Sequence, residues 1–489
     1  MKKLNLIVTI AAFVLLSCNS KKIKYPEVPD TGSDQKWWQS ASEITKTPVS
    51  ENTNQSVPAK NQFSTVKGTP YMPVQLLKNG GNIIEIGVSP DSEDAGALLH
   101  VRFFTGQKMT KQYTYSPAGS MPLAFNKITK APYRTNSVCA TVLADGKIVT
   151  AWPEVSKDGT EEICLCCIEQ TGTVCWTDSI VTYTDIPKVC YCTDSSGYLY
   201  IAVSAFRTDN DNIVLLDTIL QRRNPQDGTV LREVKFGSGA PQALVSAGDT
   251  IYVAESGYKH NGSITAFSTE LALKGSIRLA KGSADFAPSI QNMQTNGESI
   301  FITSVYYTEL TGNHANDGVF LTCFDLNLKQ KWQKSILINS YTADFSIAVD
   351  NTNMVLVCAG IKTTGEPFTR YGILRIDMND GCVTDSRSLI FPSEYIVTSS
   401  ILDSDRLWLT GFAQKRDGGD TSTKTGSTFS APLAEFSSTG ICDVSKGTYF
   451  FVEHNDILVY EQIPETQQNL VVTGDGNMQL KAAAVYPWN

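Results

Sequence analysis

A short β-rich run that recurs along the chain constrains the fold more than any other feature. Each run follows a turn containing Gly, Asp or Asn, and its fourth and fifth residues are mostly small. The starts of successive runs lie 49 to 65 residues apart. A repeat of about 50 residues made of strands and turns is typical of β-propellers, in which each repeat forms one blade. The runs begin at Ile83, Ile148, Leu199, Ile251, Ile300, Val355, Leu407 and Leu470.

The residues that follow each run continue the pattern of a blade. In the second unit an apolar segment at 163–168 is followed by the turn 169–172 and a further segment at 173–176. Such segments are typical of the outer hairpin of a four-stranded blade, and no window shows sustained helical periodicity. We therefore predict an all-β fold, a β-propeller of four-stranded antiparallel blades spanning residues 71–489.

The number of runs favours eight blades, and seven are possible if the first or last run lies outside the ring. The last unit, from Asp456 onward, is too short for a full blade. An N-terminal strand near residues 37–49 could complete the ring. This segment contains the pair Trp37 and Trp38, which is unusual in a linker because Trp is seldom left exposed.

The first residues are typical of a secretory signal. Lys2 and Lys3 precede an apolar stretch at 4–16, which is too short to remain as a membrane-spanning helix. We predict a signal peptide at 1–17 and a tether at 18–70, rich in Ser, Thr, Lys, Asn, Gln and Pro. The sequence Leu15-Leu16-Ser17-Cys18 resembles the bacterial lipobox, in which the Cys carries the lipid (palmitate among the acyl chains) after cleavage. The alternative is an ordinary signal peptide in which Cys18 is accidental.

This signal is similar to those of outer-membrane lipoproteins from the Bacteroides group. Members of that family that are sent to the cell surface often carry acidic residues directly after the Cys. Here Lys21 and Lys22 stand in that region. The resemblance therefore implies an outer-membrane lipoprotein held only by its lipid, with the periplasmic face favoured and the cell surface possible.

Two units also resemble the repeats of PQQ-like and WD40-like propellers. Glu169 with Trp176 and Asp325 with Trp332 share a seven-residue spacing, and 171–176 has the Thr-Gly-x-x-x-Trp form of PQQ-like repeats. Some members of that family are non-catalytic outer-membrane lipoproteins, such as the propeller subunit of the β-barrel assembly machinery, to which the chain is distantly similar. The other units depart from the pattern, since Thr384 and Cys442 stand where Trp would fall.

Eleven Cys residues remain after Cys18, and most lie within strand runs, where a small buried hydrophobic residue is the simplest interpretation. Alternation places Cys164 and Cys166 on one face of their strand and Cys167 on the other. Folding the hairpin about the turn 169–172 would pair Cys166 with Cys175 and permit a disulfide; a slip of one residue would pair Cys167 instead. The spacing does not match a zinc site, so we expect no metal.

No catalytic constellation is visible in the sequence. The four His, at positions 100, 260, 314 and 454, are scattered, so we predict no catalytic residue and no cofactor. Trp152 and Glu255 occupy the fifth position of their runs, where small residues prevail. This position could approach the mouth of the central channel, so these two are candidate binding residues, although packing in the wall is the simpler interpretation.

With 41 Lys and Arg against 49 Asp and Glu, the net charge of −8 argues against nucleic acid as a partner. The favoured function is a non-catalytic, lipid-anchored propeller that binds or scaffolds an outer-membrane or periplasmic protein. The alternative is a surface lipoprotein that binds glycans or acts on carbohydrates as a hydrolase or lyase. A PQQ-type or metal-dependent oxidoreductase ranks last, because its cofactor ligands cannot be placed.

Overall fold

The structure is a computed structural model of the 489-residue chain. All the regular structure in the residues that it describes is β-strand, as the sequence predicts. The described residues are 62–65, 71–90, 97–106, 108–115, 138–155, 161–182, 188–209, 213–237, 239–256, 262–280, 289–307, 316–340, 345–359, 369–391, 395–416, 422–432, 450–452, 459–462 and 471–473.

The described strands form seven antiparallel sheets, each of which is a blade. The first strand, β1 (Gln62–Thr65), belongs to the last blade. Blades 1 to 3 are β2 (Met72–Asn79), β3 (Asn82–Pro90), β4 (Ala97–Thr105) and β5 (Lys108–Tyr115); β6 (Cys139–Val142), β7 (Ile148–Val155), β8 (Glu161–Ile168) and β9 (Val174–Val181); and β10 (Val189–Thr193), β11 (Leu199–Asp209), β12 (Ile213–Arg223) and β13 (Val230–Phe236).

Blades 4 to 6 are built in the same way from four consecutive strands. They are β14 (Ala240–Ala247), β15 (Thr250–Ser256), β16 (Ser263–Ser268) and β17 (Leu273–Ala280); β18 (Ser289–Thr295), β19 (Ser299–Tyr307), β20 (Asn316–Asp325) and β21 (Gln330–Ser340); and β22 (Phe345–Val349), β23 (Met354–Ala359), β24 (Thr369–Ile376) and β25 (Val383–Phe391).

Blade 7 closes the ring with strands that are far apart in the chain. It contains β26 (Tyr395–Asp403), β27 (Arg406–Arg416) and β28 (Ser422–Pro432), and β1 pairs with β28 as its outer strand. The first strand of each blade contacts the first strand of the next, and β26 returns to β2. The predicted β-propeller is thus confirmed. The closing segment predicted at 37–49 lies outside the described residues; the strand found in the closing position is β1.

The preference for eight blades is corrected, because the described strands close with seven. The run at Leu470 suggested an eighth blade, but it contains β31 (Val471–Thr473), which adds to the edge of blade 3. Two earlier strands behave likewise: β29 (Phe450–Val452) pairs with β21 of blade 5, and β30 (Val459–Gln462) with β17 of blade 4. The strands β29, β30 and β31 therefore lie at the outer edges of blades 5, 4 and 3.

The core lies in the wedges between neighbouring blades. Each main cluster of buried apolar residues combines two or more adjacent blades, such as Val149 and Ile163 of blade 2 with Leu199 and Val203 of blade 3. The second strands are covered on both faces, and 199–203 is fully buried. Strands of this kind form continuous apolar runs in the sequence, which is why the repeat is visible there.

Tryptophans at the outer strands join blades 2 to 3 and 5 to 6. The Trp176 indole Nε1 donates to the carbonyl oxygen of Pro225 at 3.1 Å, and the Trp332 Nε1 donates to that of Met378 at 2.9 Å. Both acceptors lie in the outer hairpin turn of the next blade. Gly228 of the first turn has φ +77°, and a Cβ there would lie 2.7 Å from the Trp176 ring. The seven-residue acid-to-Trp spacing therefore ends on a residue that docks one blade onto the next.

Tyrosines make the equivalent link between the other blades from 1 to 5. Each hydroxyl donates to a backbone oxygen in the outer hairpin turn of the following blade. The pairs are Tyr115 with Gly172, Tyr200 with Thr269 and Tyr252 with Leu326, at 3.0, 2.8 and 2.6 Å.

Candidate functional site

The two faces of the ring have connections of different length. In an antiparallel meander the first and third connections of each blade lie on one face, which we call the turn face. The second connection and the passage to the next blade lie on the other, which we call the loop face. Turns such as Gly80-Gly81 are short, whereas the loop face carries the intervals 308–315, 360–368 and 116–138. Binding residues are found disproportionately in such loops, so the loop face is the candidate functional face.

The first strands begin at the loop face, and four of them carry a bulge within their first four residues. The pairing register shifts at Val74 of β2, Gln242 of β14, Gln291 of β18 and Thr398 of β26. Bulges are common at the rims of closed sheets and next to active sites, because they redirect side chains. We call these four residues and Lys188 the inner rim.

Polar side chains of the inner rim bridge neighbouring blades. Lys188 Nζ, directly before β10, donates to Gln242 Oε1 at 2.9 Å, and the Gln242 amide nitrogen donates to the Ala240 carbonyl at 3.1 Å. Thr398 Oγ1 donates to the Pro73 carbonyl at 2.9 Å, which joins blade 7 to blade 1. These bonds link the loop-face ends of neighbouring blades.

Glu255, one of the two predicted binding residues, lies at the loop-face end of β15 and is 2% exposed. Its Oε1 accepts a hydrogen bond of 2.6 Å from Thr218 Oγ1 of blade 3, and its Oε2 accepts one of 3.3 Å from Ser263. The backbone at Gly237 comes so close that a Cβ there would lie 2.0 Å from Oε1. The carboxylate therefore joins blades 3 and 4 just beneath the passage between them.

Trp152, the other predicted binding residue, is 8% exposed. It packs in the wedge between blades 1 and 2 with Val74 and Cys166. The structure thus places Trp152 and Glu255 in two different wedges. Each lies beneath the loop face, where it supports the strand ends.

A buried polar network that the sequence reasoning missed joins blade 1 to blade 7. Glu85 is fully buried, and its Oε1 accepts hydrogen bonds from the Tyr71 hydroxyl at 2.7 Å and from Arg102 at 3.1 Å. Its Oε2 accepts from the hydroxyls of Thr410, at 2.9 Å, and Thr428, both in blade 7. The Arg102 guanidinium lies 3.6 Å from the Tyr71 ring centroid. One carboxylate therefore connects both sides of the wedge where the ring closes.

Burial dominates the electrostatics of this network. It raises the pKa of the Glu85 carboxyl, while the Arg102 charge acts in the opposite direction. Burial, followed by the nearby Glu85 charge, raises the pKa of the Tyr71 hydroxyl well above its usual range. Tyr71 therefore remains a hydrogen-bond donor at neutral pH. The signal for this network in the sequence is a charged residue in each of two mostly apolar runs, IIEIGVS and LLHVRFF.

His100 lies between two hydroxyls in blade 1. Its Nε2 is 2.6 Å from Ser89 Oγ and its Nδ1 is 3.1 Å from Thr114 Oγ1, so the three residues form a row across β3, β4 and β5. Burial, assisted by Arg102, lowers the pKa of His100 to about 4. A neutral imidazole beside a serine is part of a hydrolytic arrangement, but Thr114 stands where a carboxylate would orient the ring. The row holds three strands together.

The predicted alternation of the cysteines is found, but the hairpin register at Cys166 differs from the prediction by two residues. Cys166 packs towards blade 1 and Cys167 towards blade 3. A bulge pairs Ile168 with Val174, so Cys166 lies opposite Thr177, and Cys175 lies beside Cys167. Both members of the predicted disulfide, Cys166 and Cys175, are free thiols in the structure.

Several other predictions concern residues outside the described part of the chain. These are the signal peptide, Cys18, Lys21, Lys22, the Trp37-Trp38 pair and the His at 260, 314 and 454. Among the described residues, no cluster of three or more His, Cys, Asp or Glu has the geometry to hold a metal ion. A search of the same residues finds no helix with the length and apolar character needed to span a membrane.

Comparisons with known proteins give no family assignment. No family model matches the chain, and no curated protein matches it. Solved structures that are similar include a PL25 ulvan lyase (TM-score 0.46, 9% identity, 76% of this chain and 99% of that one). A Synechocystis apocarotenoid oxygenase has a TM-score of 0.41 and 10% identity, with 88% and 99% covered. Hydrazine synthase from Kuenenia stuttgartiensis has a TM-score of 0.42 and 11% identity, with 77% and 98% covered.

Proposed function

We propose that this protein is a non-catalytic, lipid-anchored β-propeller that binds an outer-membrane or periplasmic protein through its loop face. The observation that carries the proposal is the difference between the two faces. Short turns leave little variable sequence on the turn face, whereas the loop face carries intervals of up to 23 residues, at 116–138 between β5 and β6. A rigid ring that presents long loops on one side is a common arrangement for binding.

The buried polar groups beneath the loop face support a binding role rather than a reaction. Glu255 and Glu85 each hold hydroxyls from a neighbouring blade, and His100 holds two hydroxyls within its own blade. These groups are engaged in holding strands and blades together. A partner would therefore contact the loops, while Glu255 and Trp152 keep the underlying strand ends in place.

We propose that Cys18 bears the lipid and that the protein lies at the periplasmic face of the outer membrane. The lipobox-like sequence and the basic Lys21 and Lys22 support this location. Replacing Cys18 with Ser should abolish labelling by radioactive palmitate and release the protein from the membrane fraction. If Cys18→Ser leaves both labelling and membrane association unchanged, the anchor proposal is wrong.

The binding proposal is tested with photo-crosslinking residues in the full-length protein. One set is placed in the loop-face intervals, at positions 311 and 364, and the control set on the turn face, at Glu298 and Thr352. We expect one stoichiometric protein to be crosslinked from the loop face and not from the turn face. Equal crosslinking from both faces would contradict the proposal.

A glycan array with the same protein tests the alternative of a carbohydrate-binding or carbohydrate-active propeller. Saturable binding of one glycan class, lost when 360–368 is replaced by Asn-Gly, would favour the alternative. The matched control is Glu298→Ala on the turn face, which should leave any such binding unchanged.

A further inference from the structure

The C-terminal strands cover the outer edges of three blades in strict spatial order. Going forward along the chain, β29, β30 and β31 add to blades 5, 4 and 3, always antiparallel to the outer strand. The chain therefore passes from each blade to its neighbour without omitting one. The next outer strand in that direction is β9 of blade 2.

The spacing of these strands indicates where a fourth would fall. Six residues (453–458) connect β29 to β30, and eight (463–470) connect β30 to β31. Eight residues after β31, the chain reaches Ala482-Ala483-Ala484-Val485-Tyr486, an uncharged segment followed by Pro487. A linker of eight residues spans up to about 26 Å, which suffices to reach the neighbouring edge as the preceding linker does.

The edge of β9 lacks the charged residues that usually protect an uncovered edge strand. Val174 and Val181 are 44% and 39% exposed, and both are among the most exposed large apolar residues in the described part of the chain. The strand contains no Lys or Arg, and its one charged residue, Asp178, pairs with Arg223 of blade 3. Open edges that remain uncovered usually carry charges that prevent pairing with other chains.

The outer strand of blade 1 provides the contrast. Among the described residues neither β5 nor β9 has a fifth strand. The strand β5 begins Lys108-Met109-Thr110-Lys111, and both lysines are exposed. Their charges oppose the addition of another strand, whereas β9 has no equivalent protection. The difference singles out β9 as the next edge to be covered.

We propose that residues 482–486 of this same chain add to β9 as a fifth strand, so that the C-terminal part covers blades 5, 4, 3 and 2 in succession. The pairing would shield an apolar edge from other chains and would leave the loop face as the surface for partners.

Hydrogen exchange followed by mass spectrometry tests this inference on the full-length protein. The variant Ala483→Pro removes a backbone donor and disfavours pairing, and its matched control is Asn477→Pro in the preceding linker. We expect amides of β9 to exchange roughly tenfold faster in Ala483→Pro than in the parent or in Asn477→Pro. Exchange in β5 and in the buried β11 should be the same in all three.

Two outcomes would overturn the inference. Equal exchange of β9 in the parent and in Ala483→Pro would show that the segment does not lie there. Protection of β9 that appears only at protein concentrations where a dimer forms would assign the added strand to a second copy. Exchange in β11 reports whether the rest of the ring is folded, so a variant that fails to fold would be recognised. In that case removal of 474–489 provides a second test, and we again expect faster exchange in β9 with unchanged exchange in β11.

Discussion

The wedge between blades 1 and 7 gives the sharpest test of how the ring is held closed. Glu85 is fully buried and Arg102 is 3% exposed, and their atoms are 3.1 Å apart. Glu85→Gln preserves the shape of the side chain but removes the carboxylate charge that lies 3.1 Å from Arg102 Nη1. Breaking one side of a buried ion pair costs about 3 to 5 kcal/mol, so we expect the free energy of unfolding to fall by about 3 kcal/mol.

Urea unfolding followed by tryptophan fluorescence is a suitable assay. Trp408 packs edge-on against Phe104 in the same wedge, with ring centroids 6.1 Å apart, and so provides a probe close to the change. Glu298→Gln, at an exposed turn, is the control and should alter stability by less than about 0.5 kcal/mol. The double variant Glu85→Gln/Arg102→Gln should be more stable than the sum of its single variants predicts. A loss below about 1 kcal/mol for Glu85→Gln would refute the reasoning.

Three further predictions concern other parts of the ring. The pKa of His100 is lowered to about 4, so the unfolded state takes up a proton at higher pH than the folded state. The free energy of unfolding should therefore fall by about 2 kcal/mol as the pH is lowered from about 6.5 to 4. His100→Gln should remove that loss, and an unchanged pH dependence in this variant would contradict the reasoning. Gly228→Ala should lower the free energy of unfolding by more than Gly248→Ala does. Both glycines have a positive φ, but only a Cβ at residue 228 would clash with the Trp176 ring. Equal losses of stability in chemical denaturation would contradict this. Among the described cysteines, Cys175 and Cys382 are exposed and should react with maleimide in the folded protein. Cys166 is buried, which raises the pKa of its thiol to about 11, so it should react only after unfolding. A mapped Cys166–Cys175 disulfide would show that the hairpin register is different.

The sequence predicted the architecture because the second strand of each blade is buried on both faces. Runs such as 199–203 of β11 are continuous and apolar, so the repeat can be recognised in the amino-acid sequence alone. The number of blades was harder to predict. A strand that adds to an edge has the same apolar character as the second strand of a blade, so β31 was mistaken for part of an eighth blade. Which sheet a strand joins depends on contacts distant in the chain.

The candidate site was predictable only in part, for the same reason. The fifth position of each run placed Trp152 and Glu255 beneath the loop face, and the structure shows that each lies in its own wedge. Two of the partners of Glu85, Thr410 and Thr428, are more than 300 residues away in the sequence. A charge within an apolar run indicates that some partner exists, but ring closure determines which one it is.

The central claim is that the partner binds to the loop face, and crosslinking from defined positions tests it most directly. Photo-crosslinking residues at 311 and 364 on the loop face should capture one protein in stoichiometric amounts from intact cells. The same residues at Glu298 and Thr352 on the turn face should capture none of it. Crosslinks to that protein from the turn face that equal or exceed those from the loop face would contradict the account.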